Sequence, residues 1–393
     1  MEYAVIVLKQ GRDASIKRNH HWIFSGGIQK ITGSPKEGDL VQIINSNQEI
    51  CGYGHYSDSN ISVRVLQLSD GAWQDDFWLI KIQEAYRMRQ RLGLTENPLT
   101  NAFRLIHGEG DGLPGLIIDV YADAAVIQCH TLGMYKSIQA ISNALLNTFR
   151  GSLAVIYNKS IESLGNDKGN IVNHWLVGDK AETIVHENGH AFKVNWVTGQ
   201  KTGFFIDQRE NRYLLGRLCQ GKSVLNLFCY SGGFSVYALE HQAALVHSVD
   251  VSAKAIELTD SNVSLIGNVN ERHASYAMDV NKFLAESGTY DIVICDPPAF
   301  AKSLNKRHQA LIGYKNLNAK VIKKVRSGGL LLTFSCSQVM DRELFQQTIL
   351  AAALESNRKI KILNHLSQGP DHPTNIYHPE GSYLKGLLLY IED

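Results

Sequence analysis

Along the first 75 residues, short apolar stretches alternate with polar turns. Strands are predicted at YAVIVL, DLVQII and ISVRVLQL, separated by turns such as SPKEGD and YSDSN, and the spacing predicts a small β-barrel. The next stretch, at about 78–92, has helical apolar spacing and predicts a connecting helix. Basic residues outnumber acidic ones on it, which predicts a basic face. They are Lys81, Arg87, Arg89 and Arg91, against Glu84.

Residues 76–189 give a mixed pattern. The strand-like pieces FRLIH, LIIDVY, AAVIQCH and LAVIYN accompany a glycine-rich turn, GEGDGLPG, and a helical stretch near 134–149. This combination is typical of a small α+β module, and it predicts a central domain.

Residues 190–393 change rhythm again, because short apolar strands now alternate with helical stretches. Strands are predicted at SVLNLFC, ALVHSVDV, DIVICD and GLLLTFSCS. Apolar strands separated by helices indicate an α/β fold with a doubly wound parallel sheet. Two more strands, KIKILNHL and YLKGLLLYIE, flank a Pro/His-rich loop near 369–381 that could cover a pocket. In that loop, His372 and His378 are expected to be surface groups.

Composition excludes several classes of protein. With 44% hydrophobic and 20% charged residues, the chain is neither wholly disordered nor a collagen-like or coiled-coil rod. Lys and Arg number 39 against 38 Asp and Glu, so the net charge of +1 gives no hint of a polyanionic partner. No apolar run approaches the ~18–20 residues that span a bilayer, and the N-terminus resembles a first strand rather than a signal peptide. We therefore expect no membrane partner.

The six cysteines are scattered without CxxC spacing, which predicts free thiols in a reducing cytoplasm and no metal site. Cys129 and Cys295 lie in apolar strands and are expected in the core. Cys336 differs, because it follows an apolar strand and small polar residues, Ser335 and Ser337, flank it. That position is at the ligand edge of the predicted sheet, where a nucleophile would be useful.

The segment VLNLFCYSGGFSVYALE, residues 224–240, predicts a strand, a glycine turn and a helix. Ligands of doubly wound sheets bind beyond the carboxyl ends of the strands, and the GxGxxG spacing of a dinucleotide site is absent. Asp250 ends the next strand, 20 residues past Tyr230, where its carboxylate suits a ribose diol. Asp279 follows at a position that could read an adenine amino group. Together these residues predict a nucleoside cofactor.

The segment DIVICDPPAFAKS, residues 291–303, ends an apolar strand at Asp296, and two prolines stiffen the following turn. This Asp-Pro-Pro resembles motif IV of class I S-adenosylmethionine-dependent methyltransferases that act on nucleic-acid bases or similar planar nitrogens. Asp296 and Cys336 then follow neighbouring strands, which favours Cys336 as a nucleophile.

Nearly the whole chain resembles the bacterial 23S rRNA (cytosine-C5)-methyltransferases of the large-subunit methyltransferase I type. The resemblance is carried by GQKTGFFIDQRENR, NLFCYSGGFS, VDVS, DPPAFAKS and TFSCS. Near the N-terminus, HHWIFSGGI and GYGHYSDSNISVRVL resemble that family's PUA domain, and GEGDGLPGLIIDVY resembles its central domain. His21 departs from the proline that is usual there. The domains implied are a PUA-like RNA-binding barrel at 1–75, a central domain at 76–189 and a Rossmann-like methyltransferase domain at 190–393.

The resemblance implies S-adenosylmethionine as cofactor. It implies contacts at Phe228, Tyr230, Gly232, Asp250, Asp279 and Asp296, with Phe205, Asp207 and Arg209 as weaker candidates. It also implies that Cys336 attacks carbon 6 of cytosine while Asp296 stabilises the adduct. The second cysteine that many RNA cytosine methyltransferases carry after Asp-Pro-Pro is replaced by Ala299, so the base that removes the carbon 5 proton stays unassigned.

A basic segment lies between the two catalytic motifs. Residues 301–326 carry eight Lys and Arg and no acid, although residues 190–393 as a whole hold 22 basic against 18 acidic residues. We expect phosphate contacts there, rather than only a solvated helix face. The residues concerned are Lys302, Lys306, Arg307 and Lys315.

Other functions stay open. Methylation of another rRNA base, such as guanine N7, would need no cysteine. A non-catalytic RNA-binding or assembly protein and a small-molecule methyltransferase are further alternatives. The sequence leaves the oligomeric state open, including a homodimer.

Overall fold

The computed structural model describes residues 3–165, 171–269, 271–301 and 303–393. They form two compact units. The first comprises Met1–Val185, Val194–Ile206 and Pro370–Gly381, and the second comprises His186–Lys193, Asp207–Gly369 and Ser382–Asp393. Within the described ranges, no helix is both long enough and apolar enough to cross a bilayer.

The first unit begins with a six-stranded mixed sheet. Its strands are β1 (Ala4–Leu8), β2 (Trp22–Phe24), β3 (Ile28–Thr32), β4 (Leu40–Ile44), β5 (Ile50–Tyr56) and β6 (Ile61–Gln67), with helix α1 (Ala14–Lys17) after β1. The order is β2-β6-β5-β4-β1-β3, and β1 pairs with β4 in parallel. Alternate residues fill the core, as the period of two requires. They include Ile6, Leu8, Val41, Ile43, Val63 and Val65.

The predicted connecting helix forms as α2 (Phe77–Arg91), and a second sheet follows it. Its strands are β7 (Ala102–His107), β8 (Leu116–Tyr121), β9 (Ala124–Cys129), β10 (Val155–Asn158) and β11 (His174–Val177), in the order β11-β10-β9-β8-β7. Helices α3 (Leu132–Lys136), α4 (Ile138–Phe149) and α5 (Ile161–Leu164) accompany them. A separate two-stranded sheet consists of β12 (Glu182–Glu187) and β13 (His190–Asn195).

Two surface predictions for this unit are wrong. Arg89, expected on a basic helix face, is fully buried and donates to Asp111 Oδ2 at 2.9 Å and to the Asp371 carbonyl oxygen at 2.7 Å. His372 and His378, expected at the surface, are each only 2% exposed. Both predictions fail for the same reason. The segment Pro370–Gly381, which contains the two histidines, packs as part of the first unit, and its Asp371 carbonyl oxygen accepts a hydrogen bond from Arg89.

The second unit contains a seven-stranded sheet in the order β16-β15-β14-β17-β18-β20-β19. The strands are β14 (Ser223–Leu227), β15 (Leu245–Asp250), β16 (His273–Ala277), β17 (Tyr290–Cys295), β18 (Val325–Ser335), β19 (Lys359–Leu366) and β20 (Lys385–Glu392). The helices are α6 (Arg209–Gly216), α7 (Gly233–Glu240), α8 (Ala253–Ser264), α9 (Val280–Glu286), α10 (Arg307–Ile322) and α11 (Arg342–Ser356). The predicted doubly wound α/β sheet is thus confirmed.

The topology of this sheet determines where a site can form. β14 to β18 run parallel, whereas β20 is antiparallel to both β18 and β19. One edge of the sheet therefore carries the carboxyl ends of five parallel strands together with the amino end of β20. The order departs from the 3-2-1-4-5-6 of dinucleotide-binding sheets because the antiparallel strand is inserted.

Candidate active site

The five parallel strands end at one edge of the second unit's sheet, and a candidate site residue follows each strand. Asp250 is the last residue of β15, Asp296 follows β17 directly, and Cys336 follows β18 directly. Because β17 and β18 are hydrogen-bonded neighbours, Asp296 and Cys336 follow adjacent strands. The structure thereby brings together the two residues to which the sequence assigned the chemistry.

The turn after β14 is conformationally unusual. Phe228 and Tyr230 have positive φ angles of 58° and 48°, which bulky residues seldom adopt. Gly232 follows with a φ of 73°, and a Cβ there would lie 2.7 Å from the Thr259 side chain, so only glycine fits. Backbone strain of this kind clusters at ligand-binding sites.

Asp250 anchors this turn. Its Oδ2 accepts a hydrogen bond from the Tyr230 N–H at 3.1 Å, and its Oδ1 accepts one from the Ser252 N–H at 2.9 Å. A carboxylate oxygen has two lone pairs, so each oxygen can accept one further donor. The arrangement suits a pair of ribose hydroxyls at the carboxyl end of β15.

Asp279 has a structural task in addition to its predicted one. Its Oδ1 caps α9 by accepting from the Asn281 N–H at 2.9 Å and the Lys282 N–H at 3.2 Å. The side chain is exposed at the carboxyl end of the edge strand β16. Contact with an adenine amino group stays a prediction, compatible with the exposure of this residue.

A short hydrogen-bonded chain orients Asp296. Asn211 Nδ2 donates to Gln208 Oε1 at 2.6 Å, and also to the Ser367 carbonyl oxygen at 3.2 Å. With its oxygen engaged in this way, Gln208 presents its Nε2 to Asp296 Oδ2 at 2.8 Å. One carboxyl oxygen is therefore committed as an acceptor, and a proton on Asp296 would reside on Oδ1.

Asp296 is half-buried, yet the protein packed around its carboxyl group and, to a smaller extent, the neighbouring Asp207 carboxylate together raise its pKa from 3.8 to about 7. The hydrogen bond from Gln208 and the charge of Arg212 oppose it. Near neutral pH the carboxyl group is thus poised between its acid and its base form, which is the state a proton donor to a reacting base needs.

The TGFFIDQR segment crosses the boundary between the units. Phe205 is half-buried in the first unit, whereas Asp207 and Arg209 belong to the second. Asp207 Oδ2 accepts from the Tyr383 hydroxyl at 2.6 Å, but its buried Oδ1 has no hydrogen-bond partner among the described residues. Arg209 is 1% exposed at the start of α6.

Cys336 is a half-buried free thiol. Burial, together with the nearby carboxyl groups of Asp296 and Asp207, raises its pKa to about 11, and the positive charge of Lys385 limits that rise. The predicted core cysteines Cys129 and Cys295 are indeed fully buried. Cys336 is consequently a thiol at rest that needs a change in its electrostatic surroundings to ionise.

Two residues of this site escaped the sequence interpretation. Gln208 bonds Asp296, and Lys385 bonds the Ser337 carbonyl oxygen beside Cys336 at 2.7 Å. Lys385 is the first residue of an antiparallel strand, so it reaches the ligand edge from the opposite chain direction. The available signal was a lysine that begins an otherwise apolar strand, YLKGLLLYIE.

The basic segment at 301–326 is partly neutralised by α11 and its N-cap. Lys315 forms a 2.7 Å ion pair with Glu355, and Arg307 lies 3.9 Å from Asp341. Lys306 is exposed, and Lys302 lies outside the described residues. The net charge of the segment in sequence therefore exceeds the positive charge that α10 presents to solvent.

Comparison with known proteins identifies the family. Residues 104–388 match the S-adenosylmethionine-dependent methyltransferase family, and residues 6–68 match the PUA-like domain. A protein of Shewanella denitrificans named ribosomal RNA large subunit methyltransferase I is 39% identical, with 98% of this chain and 99% of the relative covered. A Vibrio cholerae protein of the same name is 38% identical over the same shares. The chain belongs to this methyltransferase family.

Solved structures agree on the fold. A protein of Streptococcus mutans described as a SAM-dependent methyltransferase superposes with a TM-score of 0.83 at 23% identity, covering 98% of this chain and 100% of that one. A methyltransferase described as complexed with SAH gives 0.84 at 22% identity, covering 98% and 99%. The predicted α/β methyltransferase fold with an N-terminal PUA-like domain is thereby confirmed.

S-adenosylmethionine is the cofactor of this methyltransferase, and the residues at the sheet edge fit it. Asp250 retains acceptor capacity for a ribose diol. The orphaned Asp207 Oδ1 and the raised pKa of Asp296 mark a half-buried acidic pair that would benefit from a nearby positive charge. A cofactor with an ammonium and a sulfonium group complements that pair.

Proposed function

We propose that this methyltransferase transfers a methyl group to carbon 5 of a cytosine in large-subunit (23S) ribosomal RNA, through a covalent bond between Cys336 and carbon 6. The observation that carries the proposal is the pairing of a half-buried thiol and a proton-sharing carboxyl group at the ends of adjacent strands. A methyltransferase acting on guanine N7 would need no such pair, since that nitrogen is already nucleophilic.

The reaction explains both residue types. Carbon 5 of cytosine is a weak nucleophile until a thiolate adds to carbon 6 and turns the ring into an enamine. Negative charge then develops at N3, where protonated Asp296 would donate its proton or a hydrogen bond. Protonation of Asp296 also removes a negative charge that disfavours the Cys336 thiolate. One proton on Asp296 therefore supports both events.

The other proposed contacts hold the cofactor. S-adenosylmethionine, when bound, supplies the methyl group as an electrophile. Asp250 would accept the ribose hydroxyls, and the strained turn at Phe228, Tyr230 and Gly232 would line the site. Asp279 would accept from the adenine amino group. Phe205, Asp207 and Arg209 remain weaker candidates.

RNA as the acceptor is supported by the names of the relatives and by the PUA-like match. The first unit contains a groove of about 490 Å³ lined by Arg12, His20, Trp22, Phe24 and neighbouring glycines. Phe24 is 45% exposed there. Exposed aromatic rings beside a guanidinium are typical surfaces for unpaired bases. We propose that residues 1–75 hold RNA at this groove, with the enzyme acting in the cytoplasm where ribosomes assemble.

The target cytosine must be unpaired or flipped, because carbon 5 and carbon 6 cannot be reached by both groups inside a duplex. The test is incubation with ribosomal RNA from a strain that lacks the enzyme, with labelled S-adenosylmethionine. We expect label at carbon 5 of one cytosine, and RNA substituted with 5-fluorocytidine should form a denaturation-resistant adduct. The Cys336→Ala variant should lose both.

Cys51 provides a matched control, since it is the other half-exposed cysteine and lies in the first unit. The Cys51→Ala variant should keep transfer and adduct formation. Full turnover by Cys336→Ala, or label at guanine N7, would refute the covalent cytosine mechanism. Label in DNA or in metabolites rather than RNA would refute the acceptor.

The basic segment has its own experiment. The double variant Lys306→Glu, Arg307→Glu should bind ribosomal RNA more weakly and flatten the salt dependence, by a slope of about 0.7 to 0.9 for each phosphate that the enzyme no longer neutralises. The matched control is Lys320→Glu, on the same helix but bonded to Asn281 at 2.8 Å. An unchanged slope in the double variant would exclude these two residues from the RNA interface.

A further inference from the structure

A buried cation lies beside Cys336. Because β20 runs antiparallel to β18, Lys385 pairs with Ser335, the residue that precedes Cys336. The Lys385 side chain is 3% exposed, and lysine is rarely buried to this extent without a reason. Its Nζ donates to the carbonyl oxygens of Ser337 at 2.7 Å and Tyr383 at 2.6 Å.

These contacts fix the turn that carries the nucleophile. Ser337 is fully buried, and its hydroxyl donates to the Ala301 carbonyl oxygen at 2.8 Å. With its own carbonyl oxygen engaged by Lys385, this residue is held from both sides immediately after Cys336. Both acceptors of Nζ are neutral carbonyl oxygens, so neither supplies a counter-charge to the ammonium group.

We propose that Lys385 is a positioning residue for Cys336, which holds the Cys336–Ser337 turn in place and stabilises the thiolate with its ammonium charge. The proposal rests on the proposed covalent role of Cys336. Among the groups around the thiol, the carboxyl groups of Asp296 and Asp207 oppose ionisation, and Lys385 favours it. A thiolate is the natural counter-charge that the two carbonyl oxygens do not provide.

The charged surroundings determine how the pair responds to pH. The groups facing Cys336 are Asp296 after β17, Asp207 before α6, Tyr314 on α10 and Lys385 on β20, and those facing Lys385 are Cys336, Arg342 and Asp341. Burial lowers the pKa of Lys385 to about 8. Its ammonium charge is therefore present at neutral pH and lost above pH 8, whereas an arginine would keep its charge throughout.

The test is the pH dependence of Cys336 alkylation by iodoacetamide in the whole protein, quantified on the peptide that contains Cys336. Lys385→Met removes the charge and should make alkylation about tenfold slower than in the wild type at pH 7, where Lys385 is charged, but not at pH 9.5, where Lys385 is itself neutral. Lys385→Arg should react at the wild-type rate at pH 7 and severalfold faster than the wild type at pH 9.5, because the arginine keeps its charge. Cys336→Ser provides the blank.

A Lys385→Met alkylation rate at pH 7 equal to that of the wild type, with an unchanged circular dichroism spectrum, would overturn the proposal. If that variant does not fold, the arginine variant decides, because equal rates at pH 9.5 in Lys385→Arg and wild type contradict a charge effect. Alkylation needs neither RNA nor cofactor. The experiment can therefore refute the effect of Lys385 on Cys336 without refuting cytosine methylation, and the methylation assay can refute cytosine methylation without refuting the effect of Lys385.

Discussion

In the first unit, the buried carboxylate of Asp119 meets an opposite charge. Arg104 Nε and Nη2 reach the two oxygens of fully buried Asp119 at 2.7 and 2.8 Å, and Thr202 donates to the same carboxylate at 2.5 Å. In the second unit, Asp296 has Gln208 as its donor and a second carboxyl group, Asp207, as its electrostatic neighbour. In the first arrangement, both oxygens of Asp119 are hydrogen-bonded to positively charged or hydroxyl donors. In the second, the pKa of Asp296 lies near neutral pH.

This difference distinguishes a buried carboxylate that holds the fold together from a carboxyl group that takes part in a reaction. An ion pair with both oxygens bonded holds one protonation state and one geometry, which serves the packing around it. A half-buried carboxyl group whose donor is a neutral amide can exchange its proton near neutral pH, which serves a reaction. Substitution of Asp119 should therefore lower the stability, and substitution of Asp296 should lower the activity without lowering the stability.

The largest effect is expected for Asp296→Asn. Loss of a positioned proton donor should reduce kcat for cytosine methylation by roughly 10² to 10⁴-fold, while the free energy of unfolding does not decrease. Steady-state transfer assays with ribosomal RNA measure the first, and urea denaturation measures the second. Asp291→Asn is the matched control, since Asp291 lies at the opposite end of the same strand and bonds Ser223 at 2.8 Å. Equal losses of kcat in both variants would contradict a specific role of Asp296 in the reaction.

The next effect is expected for Asp119→Ala. Removal of the fully buried Asp119 leaves the half-buried Arg104 without its carboxylate counter-charge, so the unfolding free energy should fall by about 3 to 5 kcal/mol. The matched control is Asp39→Ala, which breaks an exposed 2.8 Å pair with Lys136 and should change the unfolding free energy by about 1 kcal/mol or less. A similar loss in both variants would mean that burial does not determine how much an ion pair contributes to the unfolding free energy.

Much of the candidate site could be predicted from the sequence, for a physical reason. Asp250, Asp296 and Cys336 are polar residues at the ends of apolar strands, and parallel strands bring their carboxyl ends to one edge. The order of motifs along the chain therefore translates directly into a cluster in space. The Asp-Pro-Pro and Ser-Cys-Ser patterns needed no long-range information.

The residues that escaped prediction depend on contacts distant in sequence. Lys385 joins the site because β20 is inserted antiparallel beside β18, which no local pattern specifies. Arg89 is buried because Asp111 and the segment Pro370–Gly381 meet it, 22 and 282 positions away. Helical periodicity identifies a face, but the partner of that face decides whether its charges are solvated.

A smaller, pH-dependent effect follows from Asp296. Its pKa is raised from 3.8 to about 7 in the folded chain, so the folded state binds the extra proton in that window. The stability that this group contributes is complete below pH 3.8 and is lost as pH rises through 7. Relative to wild type, Asp296→Asn should therefore gain stability between pH 4 and 8, by at most about 4 kcal/mol. Urea titrations of the ligand-free protein at each pH measure it, and a pH-independent difference would contradict the raised pKa.

The smallest effect is expected where both members of a pair are exposed. Lys315 and Glu355 join α10 to α11 at 2.7 Å, with side chains 36% and 48% exposed. Water solvates both groups in the unpaired state, so a double-mutant cycle with Lys315→Ala and Glu355→Ala should give only a small coupling energy. The same cycle applied to Arg104 and Asp119 should give several times that value. If Lys315–Glu355 couples as strongly as Arg104–Asp119, then bidentate geometry and burial do not make the Arg104–Asp119 pair stronger. A weak coupling would instead mean that Lys315 can exchange Glu355 for an RNA phosphate at little cost.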